Sequence, residues 1–181
     1  MLLVIVMTVN AVYIGRFQPF HNGHYAALKW ILEKEKSPII LCIGSAQYSH
    51  TVENPFTAGE RIEMIWNQLR SDNLSDQVIL SAVPDSDVHS VWVSLVEHYC
   101  PKFKRVYSND PLTQVLFKER GIEVLPIPFF DREFYEATKI RYLIAINEKW
   151  EHLVPSKIAE YIKTYKLDER IKILFKNKGV K

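Results

Sequence analysis

A chain of 181 residues with 48% apolar and 24% charged side chains can bury one substantial core, and its composition excludes a disordered or collagen-like polypeptide. Its 23 basic residues stand against 21 acidic ones, a net +2 that gives no argument for nucleic-acid binding. Two cysteines, Cys42 and Cys100, are too few for a disulfide framework or a structural zinc site, so a reduced, cytoplasmic setting is the default expectation.

Met1 to Gly15 carries no charged side chain, yet it lacks the basic start of a secretory signal and is too short to span a bilayer. Ala11 to Ile14 reads as a buried first strand, with Met1 to Asn10 an extension before it and Met7 a second candidate start. A helix beginning near Tyr25 turns Ala27, Leu28, Ile31 and Leu32 inward and ends at Ser37-Pro38. Ile39 to Gly44 is a continuous apolar run, the pattern of a central parallel strand covered on both faces. Ser45 to Asn54 is a polar loop. Thr57-Ala58-Gly59-Glu60 has the form of a capping box, and Ile62, Ile65, Trp66 and Leu69 give the following helix a core stripe.

Gln77 to Val83 is the third expected strand, closed by Pro84. Asp87 then caps a helix whose expected stripe is Val88, Val91, Trp92, Leu95 and Tyr99. Arg105 to Ser108 is a fourth strand. Asp110-Pro111 opens a helix with Leu112, Val115 and Leu116 facing inward and Gly121 at its end. Glu123 to Pro126 is a fifth strand, followed by an aromatic, charged loop from Phe129 to Tyr135. Thr138 to Ile146, Lys157 to Tyr165 and Leu167 to Phe175 read as helices, and a basic tail closes the chain. The alternation predicts a three-layer α/β sandwich around a five-stranded parallel sheet, with a C-terminal helical extension. One domain is expected over 1–181, its sheet core at about 11–135 and its C-terminal helices at about 138–176.

The chemistry concentrates between the first strand and the first helix, in Tyr13-Ile14-Gly15-Arg16-Phe17-Gln18-Pro19-Phe20-His21-Asn22-Gly23-His24. Such a turn lies at the carboxyl end of a strand, where open α/β sheets bind ligands. The helix after it aims unpaired N–H groups and the positive end of its dipole into the same space. Gly15 allows close backbone approach, Pro19 stiffens the turn, Arg16 adds a permanent charge, and His21 and His24 add two imidazoles. Singly, each has an ordinary structural reading, and the two histidines could form a metal pair. Together they read as a site for a polyphosphate.

Gly-Arg-Phe-Gln-Pro-Phe-His-x-Gly-His resembles the signature of the His-x-Gly-His nucleotidylyltransferase superfamily, and specifically its archaeal nicotinamide-mononucleotide adenylyltransferases. Thr138-Lys139-Ile140-Arg141 is similar to the second signature of that superfamily, and Asn54-Pro55-Phe56-Thr57-Ala58-Gly59-Glu60-Arg61 matches an archaeal run. The resemblance covers roughly Ala11 to Ile171. It implies a Rossmann-like fold and the reaction of ATP with nicotinamide mononucleotide (NMN) to give NAD and pyrophosphate. It further implies that Gly15, Arg16, Phe17, His21, Gly23, His24, Thr138 and Arg141 bind ATP, with His21, His24, Arg16 and Arg141 carrying catalysis. Ser45, Asp85 and Trp92 would bind NMN, and adenine would lie near Gly15 and the Phe129–Thr138 segment. Mg²⁺ would be held mainly by ATP phosphates and water rather than by protein ligands, and a homo-oligomer, often a hexamer, is implied. No nucleic-acid or membrane partner is expected.

Glu136-Ala137, His89, Ser86, Glu53 and Asn109 depart from the archaeal pattern. Alternatives to the NMN reaction are adenylyl transfer to a flavin or phosphopantetheine acceptor, and a non-catalytic sensor of adenine nucleotides.

Overall fold

The five strands form one sheet because their residues are apolar on both faces. In the computed structural model, which describes residues 9–128 and 135–177, β1 (Ala11–Gly15), β2 (Ile39–Ile43), β3 (Val78–Ala82), β4 (Arg105–Tyr107) and β5 (Glu123–Leu125) pair in parallel in the order β3-β2-β1-β4-β5. Every residue of β2 is fully buried, as its unbroken Ile-Ile-Leu-Cys-Ile run requires. Alternate residues feed separate cores. Ala11, Tyr13, Leu41 and Tyr107 pack with α1 (Asn22–Glu35), α2 (Ala58–Ser71), α5 (Ala137–Ala145), α6 (Ser156–Thr164) and α7 (Leu167–Asn177). Val12, Ile40, Cys42 and Val106 pack with α3 (His89–Tyr99) and α4 (Pro111–Glu119). The expected three-layer, Rossmann-like architecture is the one observed.

Strand order reverses between β1 and β4, so the chain leaves these neighbours toward opposite sides and opens a crevice above their carboxyl ends. The twelve-residue window opens into that crevice. The expected N-terminal extension up to Thr8, the 129–134 stretch of the aromatic loop and the tail from 178 lie outside the described residues.

Four expectations on helices need correction. The first helix begins at Asn22 rather than Tyr25, so His24 lies within its first turn. In α3 the buried residues are Val93 and Val96, whereas Val88, Val91 and Tyr99 are exposed, and Asp87 makes no capping bond because Val88 is the cap residue. Apolar side chains surround that helix, so periodicity alone does not select the face that meets the sheet. In α4, Leu112 and Val115 are exposed and Phe117 takes the core position, its bulk outweighing the aliphatic stripe. Trp66 of α2 is likewise exposed, and the stripe that meets the core runs through Arg61, Met64, Ile65, Gln68 and Leu69.

The C-terminal helices are clamped to the start of α2. Arg170 forks onto Glu60 with N–O distances of 2.7 and 2.8 Å and also donates to the Pro55 carbonyl at 3.1 Å. The same Glu60 carboxylate accepts the Thr57 N–H at 2.8 Å, completing the capping box. Arg170 and this cap hold the Glu60 pKa below its ordinary value against burial, which opposes them. Arg170→Ala should therefore cost about 1.5–3 kcal/mol, the range for hydrogen bonds to charged groups. The check is the midpoint of denaturant unfolding, with Glu60→Gln as the second arm of a double-mutant cycle.

Candidate active site

His21 is the N-cap of α1, and it and His24 cap one another. The His24 N–H donates to His21 Nδ1 at 3.2 Å, and the His21 N–H donates to His24 Nδ1 at 3.3 Å. A ring nitrogen that accepts such a bond carries a lone pair, so the proton of each neutral ring belongs on Nε2. The rings stack with centroids 3.5 Å apart, between Phe20 on one side and Tyr135 on the other. Burial lowers the His21 pKa to about 4, and burial together with the neighbouring His21 drives His24 well down too. Both are therefore neutral Nε2–H donors at physiological pH. Gly23 makes the stack possible: a Cβ there would lie 3.1 Å from the Tyr135 Cβ and 3.2 Å from His21 Nδ1.

Two cavities meet at this turn. The first, about 610 Å³, is lined by Arg16, Phe17, His21, Gly23, His24, Thr138 and Arg141 among others. The second, about 700 Å³, is lined by Gly15, Arg16, Ser45, Asp85, His89 and Trp92 among others. Arg16, Ile14, Ser108 and Asp110 border both. Of the residues expected around ATP, Gly15 alone falls on the second cavity rather than the first. Its backbone must stay bare, because a Cβ would lie 2.6 Å from the Phe17 ring.

The walls are held by side chains whose donors are largely spent on the protein. Arg141, expected as a free fork, is buried and donates through Nη1 to the Gln18 carbonyl at 2.8 Å and through Nη2 to Thr138 Oγ1 at 3.2 Å. Its Nε–H is buried without a partner. Burial first, then repulsion from Arg16, lowers its pKa to about 10, so it stays charged. Asp85 is bound on both carboxylate oxygens by Ser45, from N–H at 3.1 Å and Oγ at 2.6 Å. Trp92 packs edge-on to Phe117 and leaves a buried indole N–H unpartnered, so it serves the core and borders the cavity at once. Glu136 is the exposed N-cap residue of α5, without a side-chain capping bond, and lines the first cavity.

Two supporting residues escaped the reading of the sequence. Gln18 pairs with the Phe56 backbone in both directions, at 2.9 and 3.0 Å, across the cis Gln18–Pro19 turn. Arg61, fully buried, donates at 2.7 Å to the carbonyls of both Arg16 and Gly44. Its place one turn before Met64 and Ile65, on the face that meets the core, is a signal the spacing does contain.

A buried helix start with two neutral imidazoles, flanked by arginines and opening on two adjoining cavities, fits a nucleotide phosphate chain in one and an acceptor in the other. The comparisons agree. The cytidylyltransferase-like family model matches residues 12–143, and the chain belongs to that family of nucleotidyltransferases. It is 45% identical over 164 residues to the nicotinamide-nucleotide adenylyltransferase of Saccharolobus solfataricus, covering 90% of this chain and 95% of that one. The corresponding protein of Ignicoccus hospitalis is also 45% identical, covering 93% and 99% of the two chains. That of Pyrococcus furiosus is 42% identical over 93% and 90%. Within the wider family, the chain thus belongs with the nicotinamide-nucleotide adenylyltransferases. Among solved structures, a bifunctional NMN adenylyltransferase/ADP ribose pyrophosphatase from Francisella tularensis superposes with a TM-score of 0.77 at 18% identity. The match covers 96% of this chain and 54% of that one, so this chain spans about half the bifunctional protein and the likeness is one of fold.

The histidine pair has a pH signature. The unfolded chain binds protons near pH 6.5, whereas folded His21 resists protonation until about pH 4. Stability from the neutral pair is fully present above pH 6.5 and is lost as pH falls toward 4, because the unfolded state binds more protons in that window. Thermal midpoints measured from pH 7.5 down to 5 should fall below pH 6.5, and His21→Asn should flatten that slope. An equal slope in the variant would assign the loss to other groups.

Proposed function

We propose that the chain transfers the adenylyl group of ATP to NMN, giving NAD and pyrophosphate. The observation that carries this reading is the pair of adjoining cavities sharing Arg16, one on the histidine turn and one on Ser45, Asp85 and Trp92. An oxygen of the NMN 5′-phosphate, already an anion, attacks the α-phosphorus of ATP. The bond to the β-phosphate oxygen breaks, and pyrophosphate departs with the electron pair. No general base is needed, which suits histidines held neutral.

In this reading the work is alignment and charge stabilisation. The Nε2–H groups of His21 and His24 donate to phosphate oxygens as charge builds in the transition state. Arg16 and the charged guanidinium of Arg141, both lining the first cavity, receive the charge of the departing pyrophosphate, and Thr138 with the start of α5 adds neutral donors. Alignment of this kind can supply roughly 7–11 kcal/mol of barrier reduction. Ser45 orients Asp85 so that the acceptor cavity keeps its shape, and Trp92 lines the same cavity at the nicotinamide end.

Nucleotidyltransferases generally use a divalent metal. Asp110 and Glu136 are the carboxylates lining the first cavity, and no described cluster of three or more His, Cys, Asp or Glu could hold a metal. That donor set fits Mg²⁺ brought in on the triphosphate with several waters kept, the ion supplying charge neutralisation. Asp110 would have one oxygen for the ion's waters, since its Oδ2 accepts from Thr113. A homo-oligomer is supported by the exposed apolar residues Val88, Val91, Leu112 and Val115 of neighbouring α3 and α4. No described helix is long and apolar enough to cross a membrane, and with both cysteines unbridged we assign the protein to the cytoplasm.

The test is turnover of the purified protein with ATP, Mg²⁺ and NMN, following NAD and pyrophosphate. NAD formation is expected, with His24→Ala lowering kcat by about 100- to 1,000-fold while the ATP dissociation constant moves only a fewfold. ATP binding with no product from the unaltered protein would reject the reading in favour of a nucleotide sensor. Arg141→Lys should stay impaired, since a single ammonium cannot replace the planar fork that holds the Gln18 carbonyl and Thr138 together. Turnover within twofold of the unaltered protein would remove Arg141 from the site.

A further inference from the structure

We infer that Arg61 is the positioning residue that sets the separation of the donor and acceptor sites, an inference that rests on the adenylyl-transfer reading above. Its guanidinium is fully buried beneath the partition between the two cavities. Nη1 donates to the Arg16 carbonyl and to the Gly44 carbonyl, both at 2.7 Å, and Nη2 donates to the Ser45 carbonyl at 3.1 Å. Nε donates to the Thr57 carbonyl at 3.3 Å, tying the whole assembly to the start of α2. One rigid, planar group thus bonds the residue that borders both cavities and the residue that holds Asp85.

The peptide geometry makes this tie directional. In a trans peptide the N–H points opposite to the C=O. Drawing the Gly44 carbonyl toward Arg61 turns the Ser45 N–H away, onto Asp85 at 3.1 Å. Drawing the Ser45 carbonyl inward turns the Ala46 N–H onto the Val83 carbonyl at 3.1 Å. Phe17 and Ser45, each adjoining or carrying a bonded carbonyl, both adopt left-handed backbone at φ 52°, a conformation non-glycine residues keep only when their surroundings enforce it. The backbone itself adds one link, Gly44 N–H to the Gly15 carbonyl at 2.9 Å. That link ends the β1–β2 pairing of Gly15 with Ile43, and beyond it Arg61 bridges the two loops by bonding residues 16, 44 and 45 at once. In-line displacement requires the acceptor oxygen and the α-phosphorus to be held at a fixed separation, and those two groups sit on opposite sides of this tie.

Lysine can replace the charge but not the fork, so Arg61→Lys separates position from electrostatics. The expected result is a kcat lowered by roughly 30- to 100-fold, the scale of a misplacement near 1 Å. The dissociation constants of ATP and NMN, each measured alone by calorimetry, should stay within about threefold, because each half-site survives and only their spacing changes. A kcat within twofold of the unaltered protein overturns the inference, as do dissociation constants that worsen in proportion to kcat. Should Arg61→Lys fail to fold, Arg61→Ala supplied with methylguanidinium decides. Recovery of kcat that saturates with the guanidinium supports the assignment; no recovery, or no folded protein, overturns it. The unaltered protein is run alongside. No NAD from it overturns the assigned reaction and this inference together, whereas normal NAD formation beside a normal Arg61→Lys overturns this inference alone.

Discussion

A helix begins with N–H groups that nothing in the helix can satisfy, and in α1 the two imidazoles meet that need. His21 accepts from the His24 N–H and His24 accepts from the His21 N–H, a capping box built from histidines instead of the usual hydroxyl and carboxylate. The consequence is chemical. Committing both Nδ1 atoms to the backbone puts both protons on Nε2, and burial keeps the rings uncharged. One local requirement of helix formation therefore fixes the tautomer, the orientation and the charge of the two imidazoles that line the first cavity. The bare backbone of Gly23 and the flanking rings of Phe20 and Tyr135 only make room for that arrangement.

Around this helix start the site stores strain. Phe17 and Ser45 sit in left-handed backbone, each at a cost of order 1–3 kcal/mol. Packing and polar bonds offset it. Phe17 is fully buried among Tyr13, Phe20 and His24, with ring centroids 4.9–5.6 Å apart. Ser45 is held by Asp85 and Arg61, and Gln18 reaches across to the Phe56 backbone from the same turn. These bonds converge on the loops after β1 and β2, where the crevice opens, and leave the strands themselves regular.

The sheet and the histidine turn were legible in the sequence because each obeys a local rule. Ile39 to Ile43 is apolar at every position and so needs cover on both faces, and Thr57 to Glu60 spells a capping box that forms as written. The faces of α3 and α4 were not legible, because apolar residues on several sides of a helix leave its rotation to tertiary packing. Phe117 displaced Leu112 and Val115 from the core on bulk alone. In the site, the residue types at positions 16, 21, 24, 138 and 141 signalled phosphate chemistry. What those residues spend their donors on was invisible: Arg141 reads as a free fork in sequence, yet two of its nitrogens hold the Gln18 carbonyl and Thr138 across 123 and 3 residues of chain. Arg61 hid for the opposite reason, as an ordinary charged residue in an amphipathic helix until its partners came from loops 16 and 45 residues away.

The three arginines also concentrate positive charge where the two cavities adjoin. Arg61 and Arg141 are buried, and repulsion from Arg16 adds to burial in lowering the pKa of each to about 10. For Arg61 the attraction of nearby Asp85 exceeds the repulsion from Arg16, whereas for Arg141 Glu53 offsets only part of it. Both guanidinia stay charged, and Arg141 is the one whose surroundings repel it more than they attract it. In the adenylyl-transfer reading, a triphosphate in the first cavity brings Arg141 the negative charge it lacks, beside the start of α1 and Thr138 of α5.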